Sequence, residues 1–233
     1  MSQAVGPRYA SAVNALRIVV VGTGTEVGKT HVTGCLLAES RAKGRKVRAY
    51  KPIATGVDGR CDDAEAHGLA AGAPYVHPTF AYRRPVSPHL AARDEARPID
   101  LTRIRQCTDE LALLQDAVIV ETAGGLLTPL SDTLVNADLV DRISPARVVL
   151  VAPDRLGVLH DVGACLAAAR ARGIAVAALV LSTPGTPDAS TGCNARELDR
   201  LGLGPVVGVF PRATTDADES QQVARRVWAA LNC

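Results

Sequence analysis

Short apolar runs alternate along the chain with longer segments whose apolar positions recur at helical spacing. The apolar runs predict strands at 17–22, 46–50, 117–121, 147–152, 175–181 and 205–209. The longer segments predict helices at 29–43, 62–71, 100–115, 158–172, 192–201 and 217–231. This alternation is typical of an α/β fold with a mostly parallel sheet and helices on both faces, in which ligands bind at the carboxyl ends of the strands.

Two segments depart from this alternation. Residues 73–99 are rich in proline, and we expect a long loop there, which in a compact domain is usually functional or disordered. Residues 1–15 mix small, polar and charged residues without an apolar stretch, so we expect a flexible N-terminal extension rather than a signal peptide. The remainder, 16–233, reads as a single domain without internal repeats.

Composition narrows the function classes. The formal net charge is only +2 and no Lys/Arg cluster is interleaved with aromatic residues, which argues against nucleic-acid binding. No apolar run reaches the roughly 18 residues needed to span a bilayer, which argues against membrane insertion. The six cysteines are scattered without a Cys-x-x-Cys pair, the pattern of reduced thiols in a cytoplasmic protein.

The strongest chemical signal is Gly22-Thr-Gly-Thr-Glu-Val-Gly-Lys-Thr30, which directly follows the apolar run 18–21. A strand, a glycine turn and Gly-Lys-Thr at a helix start form a phosphate-binding loop, so the expected fold is that of a P-loop NTPase. Lys29 would contact the β- and γ-phosphates, and the Thr30 hydroxyl would ligate Mg²⁺. Five residues separate Gly22 from Gly28, one more than in the general pattern.

Further candidate residues follow predicted strands or begin a helix. Glu121 ends an apolar strand before a glycine turn, where a Mg²⁺ ligand belongs in such a fold, and Asp63 at a helix start would complete the oxygen set. Asp63 could instead only cap that helix. Lys51, in Lys51-Pro-Ile-Ala-Thr-Gly56, either leans over the phosphate loop or is a solvated surface lysine.

The histidines give weaker signals. His89, in Ser87-Pro-His89, is either a helix-start residue or a substrate contact. His31, His67 and His77 have no metal-binding spacing with one another, and we interpret them as surface or packing residues.

Together these segments resemble the dethiobiotin synthetase family of ATP-dependent cyclo-ligases. The resemblance covers nearly all of 17–211 and depends on an ordered series of motifs. These are the phosphate loop with its extra residue, Tyr50-Lys-Pro-Ile-Ala-Thr-Gly56, Asp63-Ala64, Thr79-Phe-Ala81, Ser87-Pro-His89, Arg97-Pro-Ile99, Glu121-Thr-Ala-Gly-Gly125 and Thr128-Pro-Leu-Ser-Asp-Thr133.

The resemblance implies roles for individual residues. The nucleotide-binding residues would be Gly24, Thr25, Glu26, Val27, Gly28, Lys29 and Thr30, with Ser182 and Pro211 near the base. Mg²⁺ would be held by Thr30, Asp63 and Glu121. The catalytic residues would be Lys29, Lys51 and Thr25. The substrate-binding residues would be Thr25, Lys51, Thr55, Gly124 and Gly125, together with Leu156, Gly157 and His160 from a segment that reaches across a homodimer interface.

The implied reaction, part of biotin biosynthesis, is ring closure of 7,8-diaminononanoate with CO₂ to dethiobiotin. One amine forms a carbamate, ATP phosphorylates it, and the second amine displaces phosphate to close the cyclic urea. The implied cofactors are Mg²⁺ and ATP or another nucleoside triphosphate. The implied assembly is a cytoplasmic homodimer.

Three positions depart from the family pattern. Thr122 stands where the family usually has glycine, so its Cβ could crowd the turn or its hydroxyl could enter the site. Ser182 replaces an asparagine that reads the adenine, which predicts looser base selectivity. His160-Asp161 replaces Asn-His, which places an acid near the expected position of a substrate carboxylate.

Two alternatives remain beside this interpretation. One is a related P-loop ligase for another small molecule, such as a corrinoid amide ligase, although the chain has no room for the glutamine-hydrolysing domain of those enzymes. The other is a partner-binding partitioning ATPase. Those proteins carry an extra lysine early in the phosphate loop, where this chain has Thr23, Gly24 and Thr25.

Overall fold

A computed structural model describes residues 15–144, 146–212 and 217–232. The expected N-terminal extension, except for residue 15, lies outside the described residues. Among the described residues, no helix combines the length and apolar character that crossing a bilayer requires.

Six parallel strands form the main sheet, as the sequence pattern predicts. The strands of the chain are β1 (Leu16–Gly22), β2 (Val47–Tyr50), β3 (Ile53–Thr55), β4 (Phe80–Tyr82), β5 (Ala117–Gly125), β6 (Arg147–Pro153), β7 (Val176–Ser182) and β8 (Val206–Phe210). The order in the main sheet is β2-β5-β1-β6-β7-β8, while β3 and β4 form a separate parallel pair. The carboxyl ends of β2, β5 and β1 are therefore neighbours.

Helices cover both faces of the main sheet. They are α1 (Lys29–Ala42), α2 (Asp62–Ala71), α3 (Pro88–Asp94), α4 (Leu101–Ala112), α5 (Asn136–Ile143), α6 (Val158–Ala171), α7 (Asn194–Arg200) and α8 (Ala217–Leu231). Successive side chains of a strand point to opposite faces, and β1 follows this rule. Ile18 and Val20 pack in the core layer of α1 and α8, whereas Val19 and Val21 pack in the layer of α4 to α7.

The expectation of a long loop at 73–99 is wrong. This segment contains β4 and α3, and Phe80 and Tyr82 are buried in the larger core layer. The phenol of Tyr82 donates to the backbone carbonyl of Arg97 at 2.7 Å, which closes the segment on itself. Pro88 begins α3, a position that suits proline because the first helical N–H needs no partner. His89 thus lies in the first turn of a helix, one of its two interpretations.

Helix α5 has no counterpart among the helices expected from the sequence. It is only eight residues long, and the preceding stretch Thr128–Thr133 reads as turn. Its apolar side chains pack into the core layer below β1 and β5. A short helix of this kind is stabilised by packing rather than by intrinsic propensity.

Candidate active site

A cavity of about 960 Å³ opens at the carboxyl ends of β1, β2 and β5. Parallel α/β sheets place their ligand sites at this edge. The lining includes six predicted nucleotide-binding residues, Thr25 to Thr30, together with Lys51, Thr55, Asp63, Glu121 and Gly124. Tertiary structure therefore brings together residues that lie as far apart in the chain as 25 and 124.

The phosphate loop is shaped by two glycines. Gly28 precedes α1 with φ +93°, a left-handed conformation that glycine adopts without a Cβ penalty. At Gly22 a Cβ would lie 2.8 Å from the carbonyl oxygen of Gly24 and 3.0 Å from Lys29 Nζ, so a larger residue would displace the loop. These two glycines allow the chain to turn tightly enough to point the first N–H groups of α1 at the cavity.

Lys29 lies inside the loop and is largely buried. Its Nζ donates to the carbonyl oxygen of Gly24 at 2.8 Å. Burial lowers the pKa of Lys29 to about 8, and the Lys51 charge adds to the lowering while Glu121 and Asp63 oppose it. A phosphate group in this cavity would supply the negative charge that the buried ammonium lacks.

The three predicted metal ligands converge. The Thr30 hydroxyl lies 3.0 Å from Asp63 Oδ1 and 2.9 Å from Glu121 Oε1. Asp63 is in the first turn of α2, whose N-cap is Cys61, so its helix-start position does not exclude a role in the site. Among the described residues, no group of three or more His, Cys, Asp and Glu side chains could hold a metal by itself. Any cation here would need the hydroxyl and ligand oxygens as well as the two carboxylates.

Lys51 is not a solvated surface lysine. Its ammonium makes ion pairs with Asp63 and with Glu121 Oε1, the latter at 3.1 Å, and its side chain is mostly buried. Burial alone would lower the pKa of Lys51, but the charges of Glu121 and Asp63 outweigh it and raise that pKa above its ordinary value. Lys51 therefore carries a positive charge at the mouth of the phosphate loop at neutral pH.

Glu121 is completely buried but ionised. Burial alone would raise its pKa, yet the hydrogen bond from His67, the Lys51 charge and the Thr30 hydroxyl lower it to about 2. His67 Nε2 contacts Glu121 Oε2 at 2.9 Å, and His67 is itself buried. The interpretation of His67 as a surface or packing residue is thus incomplete, because its ring bonds a predicted metal ligand.

Asn136 is a second residue that the sequence patterns did not reveal. Its buried amide nitrogen donates to the carbonyl oxygens of Ala123 at 2.7 Å and Gly125 at 2.8 Å. The backbone N–H of Gly125 donates to Thr128 Oγ1 at 2.8 Å. The expected end of the strand at Glu121 is wrong, because β5 continues through the glycines to Gly125. The bonds of Asn136 and Thr128 hold this end of β5, so Gly125 supports the cavity wall while Gly124 lines it.

The departure at Thr122 lies within β5 rather than in a turn, and it does not line the cavity. Thr122 is fully buried, and its hydroxyl donates to the carbonyl oxygen of Val20 at 3.2 Å. The side chain therefore bonds β1 and does not enter the cavity.

A smaller cavity, of about 350 Å³, adjoins the phosphate loop beyond Gly28. Ser182 at the end of β7 lines it, together with Arg155, Arg212 and His31. Pro211, predicted near the base, does not line this cavity, but its carbonyl oxygen accepts a hydrogen bond from His31 Nε2 at 2.9 Å. Its contribution to the cavity is thus to orient His31.

The predicted interface residues line neither cavity, although Leu156 directly follows Arg155 of the smaller one. Leu156 and His160 are exposed at the junction of β6 and α6, and Gly157 is the N-cap of α6. Asp188 holds this junction by accepting from the backbone N–H of Leu156 at 2.8 Å. Since these residues line neither cavity of their own chain, their predicted role at the substrate would involve a second chain.

Solved structures identify the fold. The chain is similar to a ParA family ATPase from Chlorobium tepidum, with a TM-score of 0.52 at 16% identity over 94% of this chain and 92% of that one. It is also similar to a chain of the MinC:MinD cell division protein complex of Aquifex aeolicus, with a TM-score of 0.54 at 12% identity over 94% and 95%. At such identities the likeness shows the P-loop NTPase fold alone.

Curated relatives are much closer in sequence. A protein named ATP-dependent dethiobiotin synthetase BioD from Rhodococcus erythropolis is 34% identical over 91% of this chain and 95% of its own length. Proteins of the same name from Frankia casuarinae and Streptomyces coelicolor are 37% and 36% identical, each over 83% of both chains. A family model described as AAA domain matches residues 16–219. The phosphate loop and the carboxylates of Asp63 and Glu121 lie in one cavity, which agrees with these matches. The matches show that the chain belongs to the ATP-dependent dethiobiotin synthetase family.

Proposed function

We propose that this protein is a dethiobiotin synthetase of biotin biosynthesis that uses ATP to close 7,8-diaminononanoate and CO₂ into a cyclic urea. The observation that carries the proposal is the placement of Lys29 and Lys51 at one cavity with Thr30, Asp63 and Glu121. Carbamate phosphorylation needs positive charge around the transferred phosphoryl group and a positioned acceptor, rather than a protein nucleophile.

The donor set suits Mg²⁺. The Thr30 hydroxyl and two carboxylates are hard oxygen ligands, and Mg²⁺ usually takes one or two carboxylates together with phosphate oxygens. Glu121 is ionised, so at least one carboxylate is ready to bind a cation without losing a proton. When bound, Mg²⁺ would neutralise charge on the phosphates of ATP.

The residues at the cavity would have separate roles in the reaction. The N–H groups at the start of α1 and the Lys29 ammonium would hold the β- and γ-phosphates. Lys51 lies between Asp63 and Glu121 and would stabilise the negative oxygens of the carbamate and of the transferred phosphoryl group. Thr25 and Thr55 line the same cavity and would bind the diamine end of the substrate.

The proposed reaction has three balanced steps. An amine attacks CO₂ and loses a proton to give a carbamate. A carbamate oxygen attacks the γ-phosphorus of ATP, which releases ADP and leaves a carbamic–phosphoric anhydride. The second amine attacks the carbonyl carbon and loses a proton to solvent, the bond to the phosphate oxygen breaks, and phosphate leaves as the ring closes.

The proposal includes a cytoplasmic homodimer. Leu156 is 76% exposed, and the segment of Leu156, Gly157 and His160 would meet the substrate of a partner chain rather than its own. Sedimentation of the purified protein tests this part directly, since a purely monomeric active enzyme would contradict it.

Phosphate release tests the reaction. The protein is incubated with MgATP and bicarbonate, with and without 7,8-diaminononanoate, and dethiobiotin is quantified by mass spectrometry. We expect phosphate release that depends on the diamine and matches dethiobiotin in amount. Phosphate release without diamine dependence would contradict the proposal and favour another small-molecule ligase or a partner-binding ATPase.

A further inference from the structure

One buried contact of the cavity has no role in the proposed reaction steps. The imidazole of His67 lies behind Glu121, with Nε2 at 2.9 Å from Oε2, while Oε1 of the same carboxylate faces Thr30 and Lys51. The His67 and Glu121 side chains are 2% and 0% exposed. Water therefore has little access to replace the imidazole as partner of Oε2.

The two oxygens of Glu121 are thus held from opposite sides. Oε1 accepts from the Thr30 hydroxyl at 2.9 Å and from Lys51 Nζ at 3.1 Å. Because a carboxylate only accepts, His67 Nε2 must carry the proton of its bond to Oε2. Both the neutral ring protonated at Nε2 and the charged ring satisfy this requirement, so the contact does not depend on a change of charge.

Helix α2 supplies this contact together with a predicted metal ligand. Asp63 and His67 are four residues apart, and residues at this spacing lie on one face of a helix. From that face Asp63 reaches Thr30, while His67 reaches Glu121 in the neighbouring strand β5. The docking of one helix thereby sets the positions of both carboxylates.

We infer that His67 is a positioning residue that orients Glu121 Oε1 toward the divalent cation bound with the nucleotide. The inference rests on the metal site of the proposed function. It adds His67 to that site as the hydrogen-bond partner of the predicted metal ligand Glu121. Partners of this kind fix the orientation of metal ligands, and their loss typically lowers metal affinity about 10- to 100-fold. Without His67, the buried carboxylate would lose its partner at Oε2, and only the contacts of Oε1 with Thr30 and Lys51 would fix its orientation.

Metal-assisted nucleotide binding tests the inference without turnover. The dissociation constant of β,γ-methylene-ATP is measured by calorimetry in EDTA and in Mg²⁺, and the ratio of the two constants gives the Mg²⁺ coupling. We expect His67→Phe, which keeps a ring without the N–H donor, to lower this coupling about tenfold or more. The constant in EDTA should change little. His67→Gln, which retains a donor, should restore most of the coupling.

Two reference variants separate the possible outcomes. Trp228→Phe removes another buried ring N–H, which donates to the Leu36 carbonyl at 3.1 Å, so it should lower thermal stability but keep the Mg²⁺ coupling. Glu121→Gln should lose that coupling. If His67→Phe does not fold, His67→Leu takes its place.

The inference is overturned if Glu121→Gln loses the coupling while the donor-free His67 variant keeps it. It is also overturned if His67→Gln loses the coupling as fully as that variant does. If Glu121→Gln itself keeps the coupling, the metal site is wrong and the inference fails with it. Absence of diamine-dependent phosphate release, with the coupling as expected, would contradict the proposed function alone.

Discussion

The two cavities of this protein are built in different ways. At the carboxyl ends of β1, β2 and β5, which we call the catalytic edge, Lys29 and Glu121 are buried and the Lys51 side chain is mostly buried. These three residues are bonded to one another or to the phosphate loop. The smaller cavity at the ends of β6 to β8, here the base edge, is lined mostly by uncharged residues, and its charged side chains Arg155 and Arg212 are exposed.

The two cavities also differ in their electrostatics. Charges that are buried must be paired, so each charged group at the catalytic edge depends on the others. At the base edge Arg155 and Arg212 are exposed and the buried Ser182 is uncharged, so these side chains can change without leaving a buried charge unpaired. The departure from the family pattern at Ser182 lies at the base edge. We therefore expect substitutions at the catalytic edge to affect the reaction strongly, and substitutions at the base edge to affect the choice of nucleotide.

The largest expected effect is at Lys51. Lys51→Met removes the ammonium between Asp63 and Glu121 and should lower kcat about 10²- to 10³-fold, the range seen when one charge-stabilising donor is lost. Diamine-dependent phosphate release measures the effect. Lys43→Met, the same change at an exposed lysine after α1, should leave kcat unchanged. Near-normal turnover of Lys51→Met, with thermal stability preserved, would contradict its catalytic role.

The second prediction compares two adjacent acids. Asp63→Asn should raise the Mg²⁺ concentration that gives half-maximal activity about tenfold or more, corresponding to a loss of about 1.4 kcal/mol. The physical reason is that Asp63 Oδ1 faces the Thr30 hydroxyl, whereas Asp62 is exposed. Asp62→Asn, with the same change of charge one residue earlier, is the control. Equal shifts in the two variants would mean that general electrostatics, rather than a ligand, explains the effect.

A smaller effect is expected at the base edge. Ser182→Asn should increase the preference for ATP over CTP and GTP by roughly 2- to 10-fold, because a neutral hydrogen bond contributes about 0.5–1.5 kcal/mol. The ratio of kcat/KM values for the three nucleotides measures the preference. Ser182→Ala should leave this ratio unchanged. A decrease of kcat by Ser182→Asn equal for all three nucleotides would contradict the division between the two edges.

The smallest expected effect is the uptake of protons by the protein when ATP binds. The pKa of Lys29 is lowered to about 8, so without nucleotide the ammonium loses its proton as the pH rises through 8. Phosphate charge favours the ammonium, so ATP binding at pH 8 should take up about half a proton, and ATP affinity should fall above that pH. Calorimetry in buffers of different ionisation enthalpy measures the uptake. Lys29→Arg, which keeps its charge, should abolish the proton uptake. Uptake that persists in this variant would show that Lys29 is not the group that takes up the proton.

Much of this protein was determined by local sequence patterns. The buried strands were predictable because parallel strands covered on both faces are nearly continuous apolar runs. The phosphate loop was predictable because its glycines, Lys29 and Thr30 are contiguous in the chain, so a single short segment contains the chemistry. The candidate metal ligands Asp63 and Glu121 were recognisable because one lies at the start of a predicted helix and the other follows an apolar run directly, although β5 continues past Glu121 to Gly125.

Other features were decided only by tertiary structure. Strand β4 and helix α3 are short elements in a proline-rich segment, and packing of Phe80 and Tyr82 stabilises them where local propensity gives little signal. His67 was interpreted as a surface or packing residue, because the sequence does not show that α2 packs where His67 contacts Glu121 of β5. The physical reason is that the burial of a side chain and its hydrogen-bond partners depend on distant segments of the chain. A carboxylate such as Glu121 stays ionised inside a protein because the fold brings donors to its oxygens.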